Sequence, residues 1–175
     1  INRQCTTADA ARAIRLLKDC CFKVDIHLMP NLPGATPAAD AAMFRRVLGE
    51  EDLQADQWKI YPCEITPWTT IRRWAREGSF TPYPEAELVE VLATAKAAVH
   101  PWIRLNRVVR DIPAQYILGG AIAPTSTDLR QSLLALMRRR GDACRCIRCR
   151  EVGGQSKRNE NEKKNKTRGG GGGGG

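Results

Sequence analysis

Histidine is scarce in this sequence, occurring only at His27 and His100. A serine or cysteine hydrolase that depends on a histidine base therefore has few places to build its site. Outside the terminal run of glycines, no G-x4-G-K-[ST], G-x-G-x-x-G, H-E-x-x-H or G-x-S-x-G pattern occurs. That removes the phosphate-cradling loop, the dinucleotide-binding turn, the zincin helix and the nucleophile elbow. No apolar run approaches the roughly 18 residues needed to cross a bilayer. Stretches such as "AAVHPWI" are broken by His and Pro. No charged segment followed by an apolar one opens the sequence, so no secretory signal is expected and the reading is a cytoplasmic protein. The first residue is Ile rather than Met, which points to a start further upstream.

What is present is an ordinary globular balance of 42% hydrophobic and 27% charged residues over 175 positions, enough for one domain with a core. The net charge is +9. The stretch from Gln155 to Gly175 holds six Lys/Arg against two Glu, and the rest of the chain is basic too. A basic body is compatible with a polyanionic partner without demanding one. Seven cysteines stand at 5, 20, 21, 63, 144, 146 and 149. With no secretory signal they read as reduced thiols or metal ligands rather than disulfides.

Residues 7–21 read as a helix with Thr7 as its cap and Ala11, Ile14, Leu17 and Cys21 on one face. "FKVDIHLMP" alternates apolar and polar residues and reads as a strand, broken by "NLPGATP". Thr36 before Pro37 is a helix start, and Met43, Phe44, Val47 and Leu48 are its apolar face. The cycle repeats with the strand-like "QWKIYPCEI", a short helix stopped by Gly78, and a helix over "PEAELVEVLATAKAAV" with a Leu88, Val91, Leu92, Ala95, Val99 stripe. "WIRLNRVVR" reads as a further strand. After a Gly-rich link, "DLRQSLLALMRRRG" reads as a last helix capped by Asp128 and ended by Gly141. Alternating strands and helices predict an α/β fold with a mainly parallel sheet. Three strands are too few to close an eight-stranded barrel, so a piece of a larger (β/α) barrel is expected. From about Gly154 the apolar pattern stops and seven glycines end the chain. Residues 155–175 are expected to be a disordered basic, Gly-rich tail.

Four constellations carry chemistry. Cys144, Cys146 and Cys149 are spaced C-x-C-x2-C among arginines. They read as zinc ligands, iron–sulfur ligands or plain thiols. A closed zinc site needs a fourth ligand, for which Cys63, His100, Cys20 and Cys21 are the candidates. "HLMPNLPG" places His27, Met29 and Asn31 at a strand's C-terminal end, where parallel α/β folds build their sites. "WKIYPCEITPW" places Lys59, Tyr61 and Glu64 at the end of the next strand. In "RLNRVVRDIP", Arg104, Arg107 and Arg110 recur every three residues. On a regular strand Arg107 points away from the other two; on an irregular one all three converge on phosphates, with Trp102 beside them to stack on a base.

Taken in order, "FKVDIHLMPNLPGATP", "ADQWKIYPCEITPWT", "HPWIRLNRVVRDIP" and "CRCIRCREVG" resemble the catalytic subunit family of the Elongator complex, over about Asn2–Gly154. The resemblance implies a radical S-adenosylmethionine fold acting on the wobble uridine of tRNA. Acetyl-CoA supplies the acetyl group, and a [4Fe–4S] cluster cleaves S-adenosylmethionine to a radical. It implies a C-terminal barrel part over 1–127, a helix and Cys-rich linker over 128–154, and a tail over 155–175. His27, Met29, Lys59 and Tyr61 then line the cofactor cavity. Arg104, Arg107 and Arg110 then face tRNA, and Cys144, Cys146 and Cys149 hold a structural zinc near a domain boundary. Other Elongator subunits are implied partners. The family's cluster cysteines are expected before Ile1 and its acetyltransferase domain after Gly154, so no turnover is expected from these residues alone. A non-catalytic, zinc-containing tRNA-binding module is the alternative. Gln4 stands where the family has Gly, and a side chain there is expected to crowd a turn.

Overall fold

The computed structural model describes residues 3–108, 116–120 and 129–151. Arg110, Asp128 and the tail lie outside the described residues. Helix α1 (Thr7–Asp19) is capped by Thr6, not Thr7. Thr6 accepts the Asp9 N–H while Asp9 accepts from the Thr6 backbone, a reciprocal capping box. Gln4 has a φ of 50°, in the left-handed region that glycine adopts without penalty. The expected strain at this position is thus a backbone one.

Three parallel strands form the main sheet: β1 (Asp25–Leu28), β2 (Gln57–Ile60) and β4 (Arg104–Val108), in the order β1-β2-β4. Between β1 and β2 runs α2 (Pro37–Gly49), with Thr36 capping the Ala39 N–H and Pro37 in the first turn as the sequence predicts. Residues 64–65 and 119–120 pair as a second, antiparallel sheet of β3 and β5. The sequence reading took the glycines of β5 for a loose link. They pair with Ile65 and Glu64, and Gly120 must lack a side chain because a Cβ there would collide with the Glu64 carboxylate. Helices α3 (Thr70–Arg76), α4 (Glu85–Ala98), α5 (Leu129–Arg140) and α6 (Ile147–Arg150) complete the described elements. No described helix is long and apolar enough to cross a membrane.

One face of the main sheet is the core. Trp58, Ile60 and Leu105 are buried there against Phe44 and Val47 of α2, Leu88 and Leu92 of α4, and Leu133 and Met137 of α5. Phe44 and Trp58 meet with ring centroids 6.3 Å apart. Helix α4 is buried on more than the one stripe its sequence shows: Val89, Ala93 and Lys96 are also inside. The opposite sheet face is polar and carries Asp25, His27, Gln57, Lys59, Arg104 and Arg107, all exposed or half-buried.

A smaller cluster of Cys63, Ile65 and Phe80 sits under α3. Beside it both carboxylate oxygens of Glu64 are buried without a hydrogen-bond partner among the described residues. Burial first, and the charge of Glu85 second, push its pKa up to about 8. A carboxyl whose folded pKa lies above its unfolded value of 4.5 binds a proton in the folded state that the unfolded chain has released. Wild-type stability therefore falls as pH rises from about 4.5 to about 8 and levels off above. Glu64→Gln should flatten that slope and melt several degrees higher than wild type at pH 8, with little difference at pH 4. Thermal melts at the two pH values check this.

Candidate functional site

The strand ends of β1 and β2 bring the sequence-predicted mouth together. His27 pairs in register with Lys59, and Lys59 with Arg107. Lys59 donates to Asp25 at 2.8 Å, and that bond first, then Asp25's charge, hold the ammonium above the usual lysine range. The His27 and Tyr61 rings meet edge to face with centroids 5.6 Å apart. Met29 is exposed just past the strand. Pairing continues beyond the formal strands, since Tyr61 N–H donates to Leu28 O and Cys63 N–H to Pro30 O. The two loops thus leave the sheet as one rigid pair.

Asn31, Asp40 and Tyr83 fix the first of these loops. Asn31 is buried with a φ of 65°. Its N–H donates to Asp40 Oδ2 at 2.7 Å, and its side chain exchanges two hydrogen bonds with the Tyr83 backbone. The Tyr83 hydroxyl donates to the same Asp40 oxygen at 2.7 Å. Burial, then this bond to Asp40, raise the Tyr83 pKa well above the usual phenol range. Sequence reasoning singled out Asn31 but missed Asp40 and Tyr83. A buried aspartate on an apolar helix face was the available signal for Asp40.

The arginine segment differs from a regular strand. β2 and β4 pair as Trp58 with Leu105 but Lys59 with Arg107, so Asn106 is an extra residue, a β-bulge. The bulge turns Arg107 onto the same face as Arg104, although residues three apart on a regular strand face opposite ways. Arg104 pairs with Glu151, and that bond raises its pKa further. Among the described residues no carboxylate pairs with Arg107. Trp102 is exposed on one side only, because His100 stacks on it at 4.4 Å.

The three cysteines converge. Their sulfurs all lie within 4.8 Å of one another, with Cys146 fully buried. Cys146 is held well below the usual thiol range by S–H donors from Cys144 and Cys149 and by the backbone N–H groups of Leu105 and Cys149. Cys144, which donates to it, is raised. Three sulfurs this close suit one tetrahedral ion, whose ligands at ~2.3 Å sit ~3.8 Å apart. An iron–sulfur cluster spreads its cysteines over separate irons. The expected fourth ligands do not reach the site. Cys63 belongs to the cluster under α3, where burial pushes its thiol up to about 11. His100 donates Nε2–H to Leu48 O at 2.9 Å. Cys20 and Cys21 are exposed and not grouped with the triad.

Residues 55–138 match the Radical_SAM C-terminal domain family. The sequence is 40% identical over 145 residues to the tRNA uridine(34) acetyltransferase of Methanocaldococcus infernus, covering 83% of this chain and 27% of that protein. It is 36% identical over 160 residues to the enzyme of the same name from Dehalococcoides mccartyi, covering 91% and 34%. To Elongator complex protein 3 of Saccharomyces cerevisiae it is 34% identical over 154 residues, covering 88% and 27%. The solved archaeal Methanocaldococcus infernus Elp3 with an N-terminal deletion superposes with a TM-score of 0.81 at 38% identity, over 87% of this chain and 35% of that one. The chain belongs to the family of Elongator complex protein 3 and the tRNA uridine(34) acetyltransferases. It spans about a quarter to a third of the length of these relatives. Within this family segment, the Asn31–Asp40–Tyr83 bonds make a stability test. Asp40→Ala strands two buried donors and should cost about 2–4 kcal/mol, whereas Tyr83→Phe should cost about 1–2 kcal/mol. Urea denaturation of the two variants should show that order.

Proposed function

We propose that this chain is the part of a tRNA wobble-uridine-modifying enzyme that shapes the cofactor mouth and grips the tRNA backbone. The observation that carries the reading is the Asn106 bulge, which gathers Arg104 and Arg107 onto the polar sheet face with Lys59 and His27. In (β/α) barrels the site is built at the C-terminal ends of the strands, and His27, Lys59 and Arg107 stand in register near those ends. Lys59 is a cation for a carboxylate, Tyr61 and His27 offer polar ring edges, and Met29 offers apolar surface. That donor set fits an amino-acid nucleoside such as S-adenosylmethionine in kind, and these four residues would line its cavity. When bound with an iron–sulfur cluster, that cofactor supplies the radical chemistry of the family, and acetyl-CoA supplies the acetyl group. The described cysteines fit a single ion better than a cluster, so we assign Cys144, Cys146 and Cys149 to structural zinc.

Arg107 is the residue best placed for phosphate, being exposed and without a carboxylate partner among the described residues. Arg104 already spends its charge on Glu151. The same arginine face serves the alternative reading, a non-catalytic zinc-containing tRNA-binding module, which binds tRNA without needing the mouth. Other Elongator subunits fit as partners by family alone.

Two measurements test this. The purified chain should bind tRNA with an affinity that falls steeply with salt, and Arg107→Ala should weaken binding and reduce the log–log salt slope by about 1. Binding that ignores salt, or an unchanged slope, sinks the arginine assignment. Elemental analysis should find one zinc per chain, and Cys146→Ser should abolish stoichiometric uptake.

A further inference from the structure

We propose that Lys96 belongs to the thiolate site, as the built-in counter-charge that makes three cysteines sufficient for a soft divalent ion. This rests on the metal reading above and extends it to a residue on a different element. Lys96 lies in the last turn of α4, and it is only 8% exposed. Its ammonium donates to Cys149 Sγ at 3.4 Å. No carboxylate pairs with it among the described residues. Lysine is almost never buried unless paired. The helix C-terminus favours a cation at this position, but that attraction is also available to a side chain turned to solvent. Burial against sulfur needs a second cause, and an anionic acceptor is one.

The charges then balance. A divalent ion with three thiolates carries one net negative charge, and the Lys96 ammonium cancels it. A fourth thiolate would leave an uncompensated charge in a site whose central sulfur is fully buried. The triad stands without a fourth cysteine among the described residues, in keeping with that balance. A neutral fourth ligand, water or a group from elsewhere, then completes the coordination. Lys96 acts here as a positioning and charge-balancing residue rather than as a ligand.

The test uses the whole chain and three variants: Lys96→Met, Lys96→Arg and Cys149→Ala. In competition with a chromogenic chelator, Lys96→Met should bind zinc about 10- to 100-fold more weakly, the usual loss for a partner outside the coordination shell. Lys96→Arg, which keeps the charge, should stay within a few-fold of wild type. Loaded with cobalt(II), Lys96→Met should keep the wild-type thiolate-to-metal absorption. A shift of the ligand-field bands showing loss of a nitrogen ligand overturns the ammonium assignment. With metal removed by chelator, Cys149→Ala should lower the Tm more with Lys96 present than in the Lys96→Met background, a non-additive cycle. If the wild-type chain takes up neither zinc nor cobalt, the metal reading fails and the cycle alone decides the Lys96–thiolate pairing. If metal binds tightly, Lys96→Met leaves the affinity unchanged and the cycle is additive, the Lys96 proposal is overturned while the metal reading stands.

Discussion

Among the described residues the outer edge of β4 faces no further strand of the main sheet, so its peptide groups need other partners. The cysteine-rich segment supplies them. Ile147 N–H donates to Ile103 O at 3.0 Å, Cys146 sulfur accepts the Leu105 N–H, and the Arg148 guanidinium reaches Asn106 O. Arg150 reaches Pro101 O and Arg104 pairs with Glu151. A short, irregular, arginine-bearing segment thus closes an edge that would otherwise be open to another chain. The thiolate cluster is the fixed point of that cover, since residues 144–151 hold only one short turn of helix. Whatever organises the cysteines therefore also organises the strand that carries Arg104 and Arg107.

The bulge at Asn106 links this edge to the polar face. Its side chain donates to Asp25 at 3.0 Å and to Gln57, while accepting from Arg104 at 3.1 Å. One residue thus ties all three strands together on the face away from the core. Most cations of this face are matched, Lys59 by Asp25 and Arg104 by Glu151. Half-exposed ion pairs of this kind are worth about 0–1 kcal/mol. A phosphate group needs little free energy to displace the carboxylate from either, so the paired cations of this face can still join Arg107 in receiving a polyanion.

The α/β alternation, the parallel strands and the helix starts at Thr36 and Asp9's neighbour Thr6 were within one residue of legible, because periodicity and capping are local signals. The misses are tertiary. A strand of period two puts Arg104 and Arg107 on opposite faces, and no feature of "RLNRVVR" marks the extra residue that brings them together. The second sheet was invisible because Gly119 and Gly120 are weak strand formers, and they pair only because Glu64 and Ile65 need the room. Lys96 falls three and four residues after Ala93 and Leu92, so its helix face was readable. Its residue type argued for solvent, and only the fold brings sulfur to it. The cysteine triad was the reverse case. Its spacing was plain, but its convergence, and the failure of Cys63 and His100 to join it, are three-dimensional facts.

Loops that leave the C-terminal ends of parallel strands lose the ladder that holds the strands, and yet they must keep a shape if they are to hold a ligand. This chain meets that demand twice with different chemistry. After β1, the turn at Asn31 adopts a left-handed backbone that costs free energy for any side chain. It is held there by a neutral amide, a carboxylate and a phenol that satisfy one another in a buried position. Such a network holds without any bound partner, because each of its polar groups already bonds to another. At the other edge, the cysteine segment meets backbone carbonyls through the Ile147 N–H and through the guanidinium groups of Arg148 and Arg150. Those guanidinium contacts are exposed, so water competes for them. The Asn31 side of the sheet is therefore rigid by its own hydrogen bonds, whereas the edge that carries Arg104 and Arg107 is rigid only as far as the three cysteines are held together.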